Sequence, residues 1–192
     1  MNTATPTLAN RLWPAASSNQ LLRVALLAVL GSALVAVCAQ VSIPIEPVPM
    51  TLQTLAVLAI GGAYGSRLGA ATQALYALEG AVGLPVFAEF KAGPAIILGP
   101  TGGYIIGFIL AAGLVGFLAE RGFDRNVVKM FAAMLLGAAV LYIPGLAWLA
   151  TFVGGFAKAV EYGLTPFIAG DLVKAALAAL AFPAAWSLLG RR

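Results

Sequence analysis

The segment Thr165-Pro166-Phe167-Ile168-Ala169-Gly170-Asp171-Leu172-Val173-Lys174 opens an almost purely apolar run that continues to Leu189. A helix needs about 20 apolar residues to cross a bilayer, and this run is long enough. Charged side chains are costly inside a membrane, so the few that occur there mark functional sites. Asp171 and Lys174 are three positions apart and therefore share one helix face. The stretch predicts a membrane-spanning helix with a polar pair near its start.

The composition extends this prediction to the whole chain. Apolar residues make up 61% of the 192 positions and charged residues 9%, whereas a soluble domain has about 45–50% and about 25%. We therefore expect an all-α integral membrane protein with a single transmembrane domain over residues 1–192. The first 20 residues or so are too polar for a cleaved signal peptide, and we expect them to form a cytoplasmic segment.

Several kinds of chemistry are disfavoured by the residues that are missing. The chain has no histidine and a single cysteine, Cys38. Histidine-based acid–base catalysis, the usual nucleophile pairs and nearly all zinc and haem sites are thereby removed. An enzyme would have only aspartate, glutamate and lysine to work with, so we expect no catalysis, no metal site and no cofactor.

Six candidate spans follow from the apolar runs, at residues 21–39, 52–64, 68–82, 102–119, 127–150 and 166–189. The first, fourth, fifth and sixth are long enough to cross unaided. The second and third are short and separated only by Gly65-Ser66-Arg67, so they are expected to form a tight hairpin that local thinning of the bilayer or neighbouring helices accommodate.

The basic residues predict the orientation. With six spans, eight of the eleven lysines and arginines fall on one side of the membrane: Arg11, Arg23, Arg67, Arg121, Arg125, Lys129, Arg191 and Arg192. Lys91 and Lys158 fall on the other side. Because positive loops stay in the cytoplasm, both termini are expected there, and the protein is expected in the inner (plasma) membrane of the cell. The charges form no folded basic face, so no nucleic-acid partner is expected.

The outer loops are rich in proline and glycine. Residues 42–50 hold three prolines in six positions, which favours a stiff, extended path. Residues 83–104 are apolar yet repeatedly interrupted by glycine and proline. Irregular backbone at membrane depth is tolerated only where protein buries it or where it lines a cavity. We therefore predict a ligand cavity on the outer side, covered by these two loops.

The polar pair of the last span has two interpretations. With Thr165 as the expected N-cap and Pro166 as the first helical residue, Asp171 and Lys174 lie close to the outer end. They are either part of a ligand site or a structural ion pair that joins the last span to a neighbour. A buried lysine needs an anion close by, which Asp171 or a substrate carboxylate supplies.

Other positions in the spans suggest packing or binding. The run Gly99-Pro100-Thr101-Gly102-Gly103-Tyr104 enters the fourth span, where free N–H groups attract anions or carbonyl oxygens. Gly99, Gly103, Gly107 and Ala111 recur every four positions, and this stripe of small residues equally favours close helix packing. Ala28, Ser32 and Ala36 form a similar stripe on the first span, for an internal neighbour or another subunit, including a second copy. Gln53 follows the proline-rich loop and is expected to face the cavity.

Four motifs in order resemble the BioY family. They are Pro47-Val-Pro-Met-Thr-Leu-Gln-Thr-Leu55, Gly83-Leu-Pro-Val-Phe-Ala88, Gly99-Pro-Thr-Gly-Gly-Tyr104 and Pro166-Phe-Ile-Ala-Gly-Asp-Leu-Val-Lys174. The resemblance covers the chain from about Arg23 to its end. The family comprises the S components, the biotin-binding subunits, of energy-coupling-factor (ECF) transporters. The resemblance implies a six-helix bundle that captures biotin from outside with high affinity. It also implies two kinds of partner: a transmembrane coupling subunit (EcfT or BioN) and ATP-hydrolysing subunits (EcfA or BioM). The S component itself is expected to topple in the bilayer and so carry biotin inward.

The resemblance also implies roles for particular residues. Gly170, Asp171 and Lys174 match the family's ligand-binding motif, and the loop after Phe87 and Ala88 contributes ligand contacts. Asp171 or Glu89 is expected to accept hydrogen bonds from the two ureido N–H groups of biotin. Lys174 is expected to bind the ureido carbonyl or the carboxylate of biotin. Phe87 and Tyr104 are expected to flank the apolar thioether bicycle of biotin. The family's Ala-x-x-x-Ala-like face, which contacts the coupling subunit, falls on Ala28, Ser32 and Ala36, where serine departs from the pattern.

One alternative of another class stays open at this point. A self-sufficient secondary transporter or channel, for biotin or another small vitamin, is compatible with the helix-breaking loops. Such transporters often carry inverted repeats, and the sequence shows no convincing internal repeat.

Overall fold

The computed structural model describes residues 5–14 and 19–190. Nine α-helices occur in these residues: α1 (Leu8–Leu12), α2 (Gln20–Gln40), α3 (Gln53–Tyr64), α4 (Ser66–Ala81), α5 (Pro94–Leu98), α6 (Gly102–Ala119), α7 (Val127–Val153), α8 (Phe156–Gly163) and α9 (Ile168–Gly190). Two short strands, β1 (Ser42–Ile43) and β2 (Met50–Thr51), pair antiparallel in the loop between α2 and α3. Single 3₁₀ turns lie at Ala88–Phe90, Phe123–Arg125 and Thr165–Phe167.

The prediction of an all-α membrane protein is confirmed. The six predicted spans correspond to α2, α3, α4, α6, α7 and α9. Within the described residues, four helical segments are long and apolar enough to cross a membrane: Gln20–Gln40, Gly102–Ala119, Val127–Val153 and Phe156–Gly190. The six-span count, the cytoplasmic side of both termini and the extent of the single domain stay predictions. Arg191, Arg192 and part of the N-terminal segment lie outside the described residues.

Helices α6 and α7 form the centre of the bundle, and glycines let them approach closely. A Cβ on Gly107 would lie 2.5 Å from the Leu141 carbonyl oxygen, and one on Gly103 would lie 2.4 Å from that of Pro144. Both positions therefore require glycine, and the packing interpretation of this stripe is confirmed.

The α3–α4 hairpin turns at Gly65, whose φ of 88° suits glycine. Glu120, at the end of α6, accepts bonds from the Ser66 N–H (2.8 Å) and the Ser66 hydroxyl (3.0 Å). The hairpin and α6 are thus joined at one end of the bundle, opposite the end where the α2–α3 and α4–α5 loops lie.

The start of α9 differs from the prediction. Thr165 is not its N-cap, because Thr165–Phe167 form a 3₁₀ turn and the helix begins at Ile168. The Thr165 hydroxyl instead donates to the Val160 carbonyl of α8, at 3.1 Å. Since α8 runs almost directly into α9, the threonine closes the preceding helix rather than opening the next. Asp171 consequently lies in the first turn of α9.

Candidate functional site

A cavity of about 210 Å³ lies at the end of the bundle that holds the α2–α3 and α4–α5 loops. Its polar wall groups come from six secondary-structure elements and two loops: Thr51, Gln53, Thr54, Tyr76, Lys91, Thr101, Tyr104, Tyr142 and Lys174. Its apolar wall includes Val48, Phe87, Ile96, Ile105, Phe108, Leu141 and Phe167. A mostly apolar cavity with a few convergent polar groups is the usual form of a small-molecule site.

Lys174 lies on the cavity wall and is held by three acceptors. Its Nζ donates to the Thr51 carbonyl (2.9 Å), the Thr54 hydroxyl (2.7 Å) and Asp171 Oδ1 (3.2 Å). An ammonium group has three N–H donors, so all of them are engaged. The side chains of Lys174 and Asp171 are only 14% and 11% exposed. The cation is thus fixed in place by β2, α3 and α9.

Asp171 lies behind Lys174 and joins three helices. Its Oδ1 also accepts from the Thr54 hydroxyl at 3.2 Å, and its Oδ2 accepts from the Tyr142 hydroxyl of α7. It borders a small second cavity together with Leu58 and Met134. The arrangement of the pair is therefore compatible with both interpretations. Asp171 and Lys174 join α9 to α3 and α7, and Lys174 also presents a cation to the main cavity.

Gln53 lies on the cavity wall and is 7% exposed. Its Nε2 donates to the Tyr76 hydroxyl at 2.7 Å, and its Oε1 accepts from the Thr51 hydroxyl at 3.1 Å. Tyr76 in turn donates to the Val86 carbonyl at 3.0 Å. This chain of bonds runs from α3 through α4 to the α4–α5 loop, so it fixes the wall while leaving one amide hydrogen of Gln53 for a ligand.

Phe87 and Tyr104 both contribute aromatic surface to the cavity. Phe87 is 3% exposed and packs edge-on against Tyr76, with ring centroids 5.6 Å apart. Tyr104 packs edge-on against Tyr142 at 6.2 Å and donates its hydroxyl to the Gly163 carbonyl at 3.0 Å. Edge-to-face pairs hold rings in fixed orientations, so these walls are preformed.

Three candidate residues are not on the wall of the main cavity, which is drawn from the described residues. Asp171 lies behind it. Glu89 is on the adjacent loop, where it pairs with Lys91 at 2.7 Å in an exposed position. Gly102 is at the start of α6, and a Cβ there would lie only 1.7 Å from the Ile97 carbonyl oxygen. Close packing against α5 explains the glycine at position 102, because a residue with a side chain does not fit there.

In the Ala28, Ser32 and Ala36 stripe of α2, only Ser32 is buried, and the two alanines are partly exposed. Ser32 is 1% exposed and donates to Glu79 Oε1 of α4 at 3.0 Å. Next to it, a Cβ on Gly31 would lie 2.7 Å from Thr72 of α4. Ser32 therefore contacts an internal neighbour, which is one of the two uses that the sequence allows for the stripe. Its use by another subunit stays a prediction.

Thr51, Thr54, Tyr76 and Tyr142 also build the site, although sequence reasoning did not select them. Thr51 and Thr54 flank Gln53 by two and one positions, and that proximity was a signal. Tyr142 was an isolated phenol in a long apolar span, which is a weaker one. Neither signal shows the partner, because the bonds to α9 join residues 117 and 123 positions apart.

The fold and the cavity define a class: a multi-pass helical membrane protein with a preformed, largely apolar ligand cavity at one end. The model of the BioY family matches residues 8–191. The chain belongs to the BioY family.

Individual relatives agree with this assignment. A biotin transporter BioY of Thermotoga maritima is 42% identical over 149 residues, which are 78% of this chain and 87% of that protein. A probable biotin transporter BioY of Pyrococcus horikoshii is 47% identical over 148 residues, covering 77% and 86%. The chain is also similar to the crystal structure of the S-component for biotin from an ECF-type ABC transporter. The TM-score is 0.77 at 26% identity, over 86% of this chain and 92% of that one.

Proposed function

We propose that the protein binds biotin in the cavity and takes part in biotin uptake as the S component of an ECF-type transporter. The observation that carries this proposal is the cavity itself, with a fixed cation at Lys174 in an otherwise mostly apolar wall. Biotin has matching chemistry: a ureido ring with two N–H donors and a carbonyl, an apolar thioether bicycle, and a carboxylate tail. The naming of its relatives supports the same ligand.

Each end of biotin has partners of the right kind in the cavity. The aromatic rings of Phe87 and Tyr104 offer flat surface for the bicycle. The Thr54 hydroxyl lies beside Lys174, and the Gln53 amide and the Thr51 hydroxyl line the same cavity; these groups would provide hydrogen bonds to the ureido group. The Lys174 ammonium attracts a carbonyl or a carboxylate oxygen, which would replace the Thr51 carbonyl as one of its acceptors. Asp171 acts from behind by fixing the position of that ammonium.

The binding test uses purified protein in detergent with radiolabelled biotin, and with riboflavin and thiamine as matched control vitamins. We expect biotin alone to be retained. Retention of another vitamin without biotin would overturn the proposal.

The partners we propose are a transmembrane coupling subunit (EcfT or BioN) and ATPase subunits (EcfA or BioM), in the inner (plasma) membrane. The chain itself would perform no catalysis. Biotin uptake is measured in a host that lacks its own biotin uptake, with and without a coexpressed coupling subunit and ATPases. We expect uptake to depend on the coexpressed subunits. Equal uptake without any of them would favour a self-sufficient transporter, with the chain acting alone or as a homo-oligomer.

A further inference from the structure

The loop from Phe87 to Lys91 forms part of the cavity wall. Phe87, Ala88 and Lys91 line the cavity. The loop closes on itself, because the Phe87 N–H donates to the Lys91 carbonyl at 3.1 Å. The position of this loop therefore decides whether the aromatic ring of Phe87 covers a bound ligand.

Two residues at the centre of the loop have strained backbone. Glu89 has a φ of 60° and Phe90 a φ of 57°. The left-handed region is disfavoured for residues other than glycine, and such residues persist only where their surroundings hold them. The Phe90 side chain is 69% exposed, so its packing does not hold the loop. The ion pair of Glu89 with Lys91 is exposed and contributes little.

Gln40, the last residue of α2, restrains the strained pair directly, in addition to the packing of Phe87 on Tyr76. Its Nε2 donates to the Phe87 carbonyl at 3.0 Å, and its Oε1 accepts from the Phe90 N–H at 3.0 Å. The second Nε2 hydrogen donates to the Ala36 carbonyl at 3.1 Å, which orients the amide from within its own helix. One carboxamide thus binds a carbonyl that precedes the strained pair and the N–H of the second residue of that pair, as a neighbouring strand would.

We propose that Gln40 is a positioning residue that latches the Phe87–Lys91 loop over the cavity and thereby sets how fast the ligand leaves. This rests on the proposed function only for the identity of the ligand. The amide chemistry is essential, because glutamate accepts from the Phe90 N–H but cannot donate to the Phe87 carbonyl when ionised, and alanine does neither.

The first test needs no ligand. Hydrogen exchange of the loop amides is compared in Gln40→Ala, Gln40→Glu and the wild type. We expect about tenfold faster exchange at the Phe90 N–H in Gln40→Ala, since it loses its acceptor. We also expect faster exchange at the Phe87 N–H, because its bond to the Lys91 carbonyl opens with the loop. In Gln40→Glu we expect Phe90 to stay more protected than in Gln40→Ala. Exchange that is unchanged in Gln40→Ala overturns the latch whether or not biotin is the ligand.

The second test measures biotin release. We expect the release rate of Gln40→Ala to rise about tenfold, with little change in the association rate. The matched control is Gln20→Ala, at the exposed opposite end of α2, for which we expect wild-type release. An unchanged release rate in Gln40→Ala, with wild-type biotin retention intact, overturns the latch and leaves the proposed function standing. Failure of the wild type to retain biotin overturns the proposed function, and the exchange test still decides the latch.

A third variant separates the latch from a general loss of stability. Asparagine adopts the left-handed region more readily than phenylalanine, and the Phe90 side chain is exposed. Phe90→Asn should therefore reduce the strain that Gln40 restrains. We expect Gln40→Ala/Phe90→Asn to release biotin more slowly than Gln40→Ala. Equal or faster release by the double variant contradicts the proposal.

Discussion

At the scale of single residues, the site depends on the opposite charges of Asp171 and Lys174, which compensate each other. Both are largely buried, and each has at least two partners. Removing one member of a buried ion pair leaves the other charge without compensation, at a cost of about 3–5 kcal/mol. Replacing both by neutral groups costs far less. The difference between single and double variants therefore separates a structural pair from one that serves the ligand.

We predict that Asp171→Asn and Lys174→Met each weaken biotin binding at least about tenfold while the protein still inserts into the membrane. Each single variant should also lower the unfolding temperature, because one charge stays buried and unpaired. The measurements are biotin titration and thermal unfolding of the purified proteins.

The double variant Asp171→Asn/Lys174→Met is the matched control for these two changes. We expect it to recover much of the unfolding temperature without recovering biotin binding, because the cation that faces the cavity is absent. If both single variants bind biotin as the wild type does, the pair is only a structural tie between α9, α3 and α7.

At the scale of helices, α6 and α7 approach closely at glycine positions. Gly107 faces the Leu141 carbonyl, with no room for a methyl group, whereas a Cβ on Gly113 of the same helix would meet Ala70 at an ordinary 3.7 Å. Both glycines lie inside the same helix, but only Gly113 has room for a Cβ. They form a matched pair for measuring what close packing contributes.

We predict that Gly107→Ala destabilises the protein by about 1–3 kcal/mol, because α6 and α7 must separate. Gly113→Ala should be neutral or stabilising by up to about 1 kcal/mol, since alanine favours a helix. Thermal unfolding in detergent measures both. Destabilisation by Gly113→Ala as large as that by Gly107→Ala would show that the effect is not steric.

The long helices could be predicted from sequence, while the short elements between them could not. Apolar runs of the required length mark α2, α6, α7 and α9 because the bilayer demands them. The short helices α5 and α8 are set by local packing against α6 and α7, which leaves no comparable pattern. The β1–β2 ladder is similar: it pairs Ser42 with Thr51 across a loop in which prolines suggested only an extended path.

The same limit applies to the site. Lys174 and Gln53 could be selected because polar residues beside broken helices are informative by themselves, whereas Phe87 and Tyr104 could be selected through the resemblance to the family. The role of Gln40 could not, since it follows from a bond to the Phe90 N–H, 50 positions away. Nor could the sequence show that Ser32 faces Glu79 of α4. Polar partners in a helical bundle are determined by helix rotation, which apolar composition does not specify.

At the scale of the whole molecule, function depends on which side of the membrane the cavity faces. The loops that cover the cavity carry few positive charges, whereas the opposite end carries Arg67 and the basic α6–α7 loop. This asymmetry predicts that the cavity opens to the outside. Cys38 is the only native cysteine, so a Cys38→Ser background allows single cysteines to be introduced at exposed positions of each end.

We predict that Lys158→Cys in α8 reacts with a membrane-impermeant thiol reagent added to intact cells, whereas Arg67→Cys reacts only after the cells are opened. Both positions are exposed in the fold, so a difference between them reports the side of the membrane rather than burial. The Cys38→Ser parent without a new cysteine measures the background. If Arg67→Cys were labelled in intact cells and Lys158→Cys were not, the cavity would face the cytoplasm, and capture of biotin from outside by this conformation would be excluded.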